Sequence, residues 1–249
     1  MLITARQDAV SLLTLNRPEK RNSLHPDLIV DLSSAIATAA NDKTINVLVI
    51  TGAGPSFCAG LDLFHLLGLD IQGKTAYLKS LFDLFEQIYT LPQPVIAAVN
   101  GPAMAGGFDL AAFCDLRFCS LNAKFAETEV LLGMTQILYP LYKVIGLSRA
   151  KELAFTGEAI AAEEAYRIGL ANRLFPHEEL LEKTMKFAAT LASRPREALF
   201  ETKRLSRELI DLDTSSAFRL MFDVIGERLR SKEHRLEAEK YVAGLKQRK

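Results

Sequence analysis

PVIAAVNGPAMAGGFDLAAFCDLRF, residues 94–118, is the stretch that decides how this chain folds. Its apolar, partly β-branched run Val95–Val99 follows a Pro-Gln-Pro break and predicts a buried strand, which an Asn-Gly-Pro turn ends. Small residues follow at 105–107, and the Leu and Ala after them predict a helix that begins near Gly107. The stretch therefore predicts a strand, a glycine turn and a helix in direct succession.

A helix that begins near Gly107 could bind a negatively charged oxygen. Its first N–H groups lack partners within the helix and carry the positive end of the helix dipole. Asp109 lies in the first turn, three residues past Gly106, so a proton-transferring carboxylate and a charge-stabilising N–H would lie side by side. An ordinary helix start, with Asp109 balancing the dipole and glycines easing packing, accounts for these residues equally well.

A second glycine turn lies in GAGPSFCAGLDL, residues 52–63, directly after the apolar run VLVIT. Gly60 predicts a sharp turn, and the N–H of Leu61 beyond it could face the same point as that of Gly106. Two backbone donors from separate strand-to-helix turns would form an oxyanion hole. A dinucleotide site is excluded, since Gly52 and Gly54 lack the third glycine of that motif.

Residues 68–75, GLDIQGKT, match the phosphate-loop motif G-x-x-x-x-G-K-[ST]. That motif requires a strand leading directly into the loop, whereas the Leu- and Phe-rich residues 61–69 indicate a helical turn. We therefore predict a solvent loop containing Gly73 and Lys74, followed by a helix at 75–90, with a nucleotide binder as the alternative.

Composition excludes several classes of protein. The 249 residues include 30 basic and 30 acidic side chains, so no global field favours nucleic acid or an anionic membrane. Three cysteines without Cys-x-x-Cys spacing indicate reduced core residues of a cytoplasmic protein. There is no signal-peptide pattern or membrane-spanning run, and four scattered histidines argue against zinc.

The order of predicted elements indicates two regions. The fully apolar run at 47–51 follows a helix predicted over Pro26–Asn41, which is typical of a parallel strand covered on both faces in an α/β fold. Beyond residue 146 helices predominate, although a short strand is predicted at Arg173–Phe175. We therefore divide the chain into an α/β body, 1–146, and a helical region, 147–249. One late helix carries an apolar stripe that could pack on another subunit: Phe218, Met221, Phe222 and Ile225.

Five stretches, in order, resemble the enoyl-CoA hydratase/isomerase family, the crotonase superfamily. They are NRPEKRNSL at 16–24, FCAGLDL at 57–63, AAVNGPA at 97–103, AGGFDL at 105–110 with Cys114 and Asp115, and FAETEVLLG at 125–133. The resemblance implies a crotonase-like spiral of β-β-α units with a helical C-terminal oligomerisation region that builds homotrimers or hexamers. It also implies an acyl-CoA substrate from fatty acid metabolism, and neither a metal nor a redox cofactor.

The resemblance also implies site residues. The oxyanion hole maps onto the N–H groups of Leu61 and Gly106, and the acid/base positions onto Asp109 and Glu129. Further substrate-binding positions are Lys20 and Arg21, near the CoA moiety, and Ala59, Gly60, Asp62, Leu63 and Gly107. Glu127, by contrast, is predicted to be a helix-start charge or a surface residue.

Two carboxylates favour hydration of a 2-enoyl-CoA to a 3-hydroxyacyl-CoA, with Glu129 as the principal proton carrier and Asp109 positioning or deprotonating water. Hydratases of the family usually carry Glu at position 109 and a longer glycine-rich run after Gly133. Asp is found there in some double-bond isomerases, so enoyl-CoA isomerisation is the alternative, and a non-catalytic acyl-CoA binder is another. The third carboxylate of the dienoyl-CoA isomerases falls near Ile137, which argues against their reaction.

Overall fold

The strands form two sheets in the computed structural model, which describes residues 1–246. The strands are β1 Leu2–Gln7, β2 Val10–Leu15, β3 Val47–Gly52, β4 Val95–Val99, β5 Ala103–Met104, β6 Leu116–Ser120, β7 Lys124–Ala126, β8 Ile160–Ala161 and β9 Arg173–Phe175. The larger sheet has the order β1-β2-β3-β4-β6-β9 and is parallel except for the β1–β2 hairpin. The smaller sheet has the order β5-β7-β8.

Helices surround these sheets. They are α1 Pro26–Asn41, α2 Leu63–Leu67, α3 Ile71–Thr90, α4 Gly106–Phe113, α5 Leu141–Ile145, α6 Leu147–Thr156, α7 Ala162–Arg167, α8 Leu180–Ala192, α9 Arg196–Glu208, α10 Thr214–Leu229 and α11 Lys232–Lys246. The chain repeatedly places one strand in the larger sheet, the next in the smaller sheet, and then a helix, as in β4-β5-α4 and β6-β7-α5. The predicted β-β-α spiral is confirmed.

Strand β3 is buried because both of its faces are covered. Leu48 and Ile50 pack in the main core with side chains of α1, α3 and α4, whereas Val47 and Val49 face the opposite side. There they pack with side chains of α8, which crosses β2, β3 and β4. Alternate residues of a strand face opposite sides of the sheet, so a strand between two helical layers must be apolar throughout.

Residues 71–75 of the segment that matches the phosphate loop are helical, so the predicted solvent loop around Gly73 and Lys74 is wrong. Gly73 and Lys74 lie inside α3, which begins at Ile71 and follows α2 rather than a strand. The carboxylate of Asp70 caps this helix by accepting a hydrogen bond of 2.7 Å from the Gly73 N–H. A capped helix start behind another helix does not form a phosphate loop.

Strands beyond residue 146 join both sheets: β8 pairs with β7, and β9 pairs with β6. The division at residue 146 stays a prediction. Cys58, Cys114 and Cys119 are buried, and burial raises the pKa of each thiol to about 12. Within residues 1–246, no helix is long and apolar enough to span a membrane.

Candidate active site

The glycine turns after β3 and β4 lie side by side. These strands are parallel neighbours, so their carboxyl ends meet at one edge of the sheet. Asn100 joins the turns, because its side chain accepts from the Gly52 N–H at 3.1 Å and donates to the Gly54 carbonyl at 2.8 Å. A Cβ added to Gly60, whose φ is +83°, would lie 3.0 Å from the nitrogen of Gly106. The two turns are therefore in direct contact, as the sequence predicted.

Two backbone N–H groups at this contact are available to a ligand. They belong to Leu61 and to Gly106, the first residue of α4, and no backbone hydrogen bond from either is found among residues 1–246. Ala105, before the helix, has φ 51° and ψ −130°, a conformation that costs about 1–3 kcal/mol in a non-glycine residue. Strain of this kind persists where the surroundings impose it, and here the Ala105 N–H donates to the Ala126 carbonyl at 2.8 Å.

Gly107 allows α4 to approach the neighbouring turn. A Cβ on this residue would lie 2.1 Å from the Cys58 carbonyl oxygen, which is far inside contact distance. The same carbonyl accepts from the Met104 N–H at 2.9 Å, so it cannot move away freely. Gly107 therefore contributes to the site by letting backbone pack on backbone.

The turn that carries Leu61 is held by its neighbour Asp62, which is buried. Its carboxylate accepts from Arg17 at 3.1 Å and caps α2 through the His65 N–H at 3.3 Å. Its own N–H donates to the Tyr77 hydroxyl at 3.0 Å, and that hydroxyl in turn donates to the Leu24 carbonyl. These bonds fix the backbone on the C-terminal side of Leu61 and hence the direction of its N–H.

Three carboxyl groups meet beside the two N–H groups. Asp109 of α4 is 2% exposed, Glu127 is fully buried, and Glu129, in a 3₁₀ turn at Glu129–Leu132, is half-buried. One oxygen from each lies within 4.8 Å of the others. The Gln136 amide donates to Asp109 at 3.4 Å.

Burial of Glu127 overturns the prediction of a surface position. Ala126 lies in β7 and bonds to Ala105, so the chain that follows runs beneath α4 rather than over the surface. The residues at 125–127 carried no local signal of this burial, because Phe125, Ala126 and Glu127 are all buried and do not follow the two-residue alternation of a half-buried strand.

Burial and mutual repulsion govern the protonation of these acids. Desolvation raises the pKa of Asp109 well above its usual value, and the neighbouring charge of Glu129 adds to this rise. Desolvation likewise raises the pKa of Glu129. For Glu127, desolvation and the charges of Asp109 and Glu129 raise the pKa to about 11, and the nearby Gln136 amide acts in the opposite direction. Carboxyl groups in this state can hold and transfer protons near neutral pH.

A largely apolar cavity of about 450 Å³ opens beside the carboxylates. Its apolar lining comprises Ala59, Leu61, Leu63, Leu78, Leu81, Phe82, Ala105, Leu132, Met134, Ile137, Leu138 and Tyr139. Asp109 and Glu129 reach its wall, together with Gly106, Thr128, Thr135 and Gln136. An apolar cavity with a few convergent polar groups is the usual form of a small-molecule site.

The predicted site residues fall into three groups. Lining the cavity are Ala59, Leu61, Leu63, Gly106, Asp109 and Glu129. Supporting these residues from outside the cavity lining are Gly60, Asp62 and Gly107. Lys20 and Arg21 are exposed and do not line the cavity, although the Lys20 ammonium lies 5.7 Å from the Phe64 ring centre. Four further residues of the site and its support, Glu127, Gln136, Arg17 and Tyr77, were not predicted.

Known proteins share this architecture. The model of the family Enoyl-CoA hydratase/isomerase matches residues 5–243. A crotonyl-CoA hydratase of Syntrophomonas wolfei is 34% identical over 229 residues, covering 90% of this chain and 88% of the relative. A short-chain-enoyl-CoA hydratase of Clostridium acetobutylicum is 34% identical over 87% of this chain and 85% of its own length. The crystal structure of an enoyl-CoA hydratase from Bacillus anthracis superposes with a TM-score of 0.94, at 30% identity, over 98% of this chain and 96% of that one.

Proposed function

Because the chain belongs to the enoyl-CoA hydratase/isomerase family, we propose that it hydrates a 2-enoyl-CoA to a 3-hydroxyacyl-CoA. Two relatives that match most of its length are named as hydratases. The observation that carries the proposal is the placement of Asp109 and Glu129 together at the wall of an apolar cavity, beside two free backbone N–H groups. Hydration needs this combination of proton-transfer groups and charge stabilisers.

The two N–H groups of Leu61 and Gly106 would bind the thioester carbonyl oxygen. When water adds at C3, negative charge develops on this oxygen, and donors fixed in advance stabilise it. Asp109 positions the water and accepts its proton, and Glu129 delivers a proton to C2. One acid must be ionised while the other is protonated, and neighbouring carboxyl groups satisfy this requirement because each disfavours ionisation of the other. The reaction is redox-neutral and the two N–H groups can stabilise the developing charge, so we propose that it needs neither a redox cofactor nor a metal.

The remaining assignments concern the rest of the substrate and the assembly. We assign Lys20 and Arg21 to the phosphates of CoA, because both are exposed cations on the loop whose backbone meets the site through the Ala59 N–H and the Arg21 carbonyl, 3.0 Å apart. We also propose a homotrimer or hexamer, located in the cytoplasm and acting in fatty acid metabolism.

Double-bond isomerisation is the second candidate. It needs only one base to carry a proton between C2 and C4, and Glu129 is more accessible from the cavity than Asp109, which is 2% exposed. The shorter side chain at position 109 is also one that some isomerases of the family carry.

Activity of the wild type and of two variants tests the proposal. With crotonyl-CoA, Glu129→Gln and Asp109→Asn should each lower hydration about a hundredfold or more, the usual scale for a general acid or base. Both substitutions keep the shape of the side chain while removing its ability to transfer a proton. Glu158→Gln, at an exposed position, is the matched control and should behave like the wild type.

Two other results would change the assignment. Faster conversion of a 3-enoyl-CoA than hydration of crotonyl-CoA, with Asp109→Asn still active, would identify an isomerase. Binding of acetoacetyl-CoA in calorimetry without turnover of either enoyl-CoA would identify a non-catalytic acyl-CoA binder.

A further inference from the structure

The proposed reaction uses two of the three carboxyl groups in the site and leaves Glu127 unexplained. This side chain is fully buried, and neither of its carboxylate oxygens has a hydrogen-bond partner within residues 1–246. It does not line the cavity, whereas Asp109 and Glu129 do. A buried carboxyl group without partners is costly, which indicates that it has a role in the site.

The surroundings of Glu127 contain acids and no compensating cation. The charged groups that face it are Asp109 from α4 and Glu129 from the 3₁₀ turn, and the neutral Gln136 side chain also lies close to it. No Lys, Arg or His in residues 1–246 forms an ion pair with any of the three acids. Three adjacent carboxylates cannot all ionise in such a place, so at least one must retain a proton.

Of the three carboxyl groups, Glu127 is the one that should retain a proton. It is more deeply buried than Glu129, and both other acids can reach the cavity and its water. A protonated Glu127 has an O–H to donate, and Asp109 has an unpartnered oxygen, Oδ2, to accept it. One oxygen of Glu127 lies within 4.8 Å of one oxygen of Asp109, so the two carboxyl groups are neighbours.

We propose that Glu127 is a positioning residue that stays protonated at neutral pH and donates a hydrogen bond to the Asp109 carboxylate. The bond orients Asp109 and favours its ionised form, which is the form that can accept a proton from water. The inference rests on the proposed function for the role of Asp109. The protonation of Glu127 can be tested without any activity.

The pH dependence of activity tests the proposal. The acidic limb of kcat/KM reports ionisation of the base in the free enzyme. Glu127→Met removes the hydrogen-bond donor and keeps the side-chain volume, so the pKa of Asp109 should rise. The midpoint of the acidic limb of kcat/KM should then move to higher pH by about one unit. Glu127→Gln keeps an N–H donor, so it should restore the midpoint to within about 0.3 units of the wild type. The measurement uses whichever enoyl-CoA the wild type converts.

The direction of the shift separates the possible roles. If Glu127 were ionised in the wild type, both substitutions would remove a negative charge and move the limb to lower pH. If it only filled space, both would leave the limb in place. Either result overturns the proposal.

Infrared spectroscopy of the wild type and Glu127→Gln decides the protonation state, whatever the enzyme's substrate. At pH 8, about four units above the ordinary pKa of Glu, the difference spectrum should contain the carbonyl stretching band of a protonated carboxyl group. Carboxylate bands in its place would overturn the proposal. If hydratase activity were absent but the protonated band present, the proposed function would fail while the protonation of Glu127 stood.

A calorimetric titration with Mn²⁺ alone tests whether a bound cation, rather than a proton, neutralises the three carboxylates. The proposal predicts no binding to the wild type below millimolar concentration. If Mn²⁺ bound at micromolar concentration and Glu127→Gln abolished the binding, a cation and not a proton would balance the charge of the three carboxylates. That result would overturn the proposal.

Discussion

At the scale of single residues, the chemistry of this site arises from carboxyl groups held without a counter-cation. Two unit charges 4.8 Å apart repel by roughly 3.5 kcal/mol at an effective dielectric constant of 20, and burial adds a desolvation penalty for each charge. The pKa values of Asp109, Glu127 and Glu129 are therefore raised, and the three groups do not all ionise together. A proton on Glu129 is available for transfer to substrate, and the proton that Glu127 retains links folding to pH.

The first prediction concerns stability. Glu127 is protonated in the folded state, where its pKa is raised to about 11, and ionises near its ordinary value of 4.5 when unfolded. Above pH 4.5 the folded state holds one more proton, so the free energy of unfolding should fall as pH rises, by about 1.4 kcal/mol per unit. Glu127→Gln lacks this contribution. Urea unfolding between pH 5 and 8, at equal protein concentration, should show a steeper fall for the wild type, and parallel curves would contradict the assignment.

At the scale of elements, helix α3 supports the turn that carries Leu61. Burial raises the pKa of Tyr77 to about 12, so its hydroxyl stays protonated and can bond the turn at Asp62 and Leu24. Tyr77→Phe should lower kcat about tenfold with little change in KM, because a looser Leu61 N–H stabilises the developing charge less well. Tyr166→Phe, at an exposed position in α7, is the matched control. Equal kinetics of Tyr77→Phe and wild type would show that the turn at Leu61 keeps its conformation without the Tyr77 hydroxyl.

At the scale of the whole molecule, helix α10 presents an unpartnered apolar stripe. Three residues of the predicted stripe, Phe218, Phe222 and Ile225, together with Leu229, are between 54% and 78% exposed, whereas the fourth predicted residue, Met221, is half-buried. Exposed apolar side chains spaced by three or four residues indicate a subunit interface. The wild type should be a trimer or hexamer by light scattering at micromolar concentration, and Phe222→Glu should shift it toward monomer. Arg219→Glu, on the same helix, should leave the assembly unchanged. A monomeric wild type would contradict the proposed assembly.

The sequence by itself determined most of the elements. Helix α1 and strand β4 have the predicted bounds, because an apolar period and a Pro or Gly boundary are local properties of the chain. The approach of the two glycine turns was also predictable, since parallel neighbouring strands bring their carboxyl ends to one edge. Asp109 was a candidate from its place in the first turn of α4 and from the family resemblance, Glu129 came from the resemblance, and the structure places both at the cavity wall.

Tertiary structure alone decided the burial of Glu127 and the contact between Gln136 and Asp109. Glu127 is buried because β7 pairs with β5 in the smaller sheet and α4 covers the chain beyond it. Gln136 reaches Asp109 across 27 positions of sequence. Neither contact has a local pattern, since desolvation of a side chain depends on which distant segments pack against it. The number of carboxyl groups in the site, and hence its proton content, was therefore set by packing.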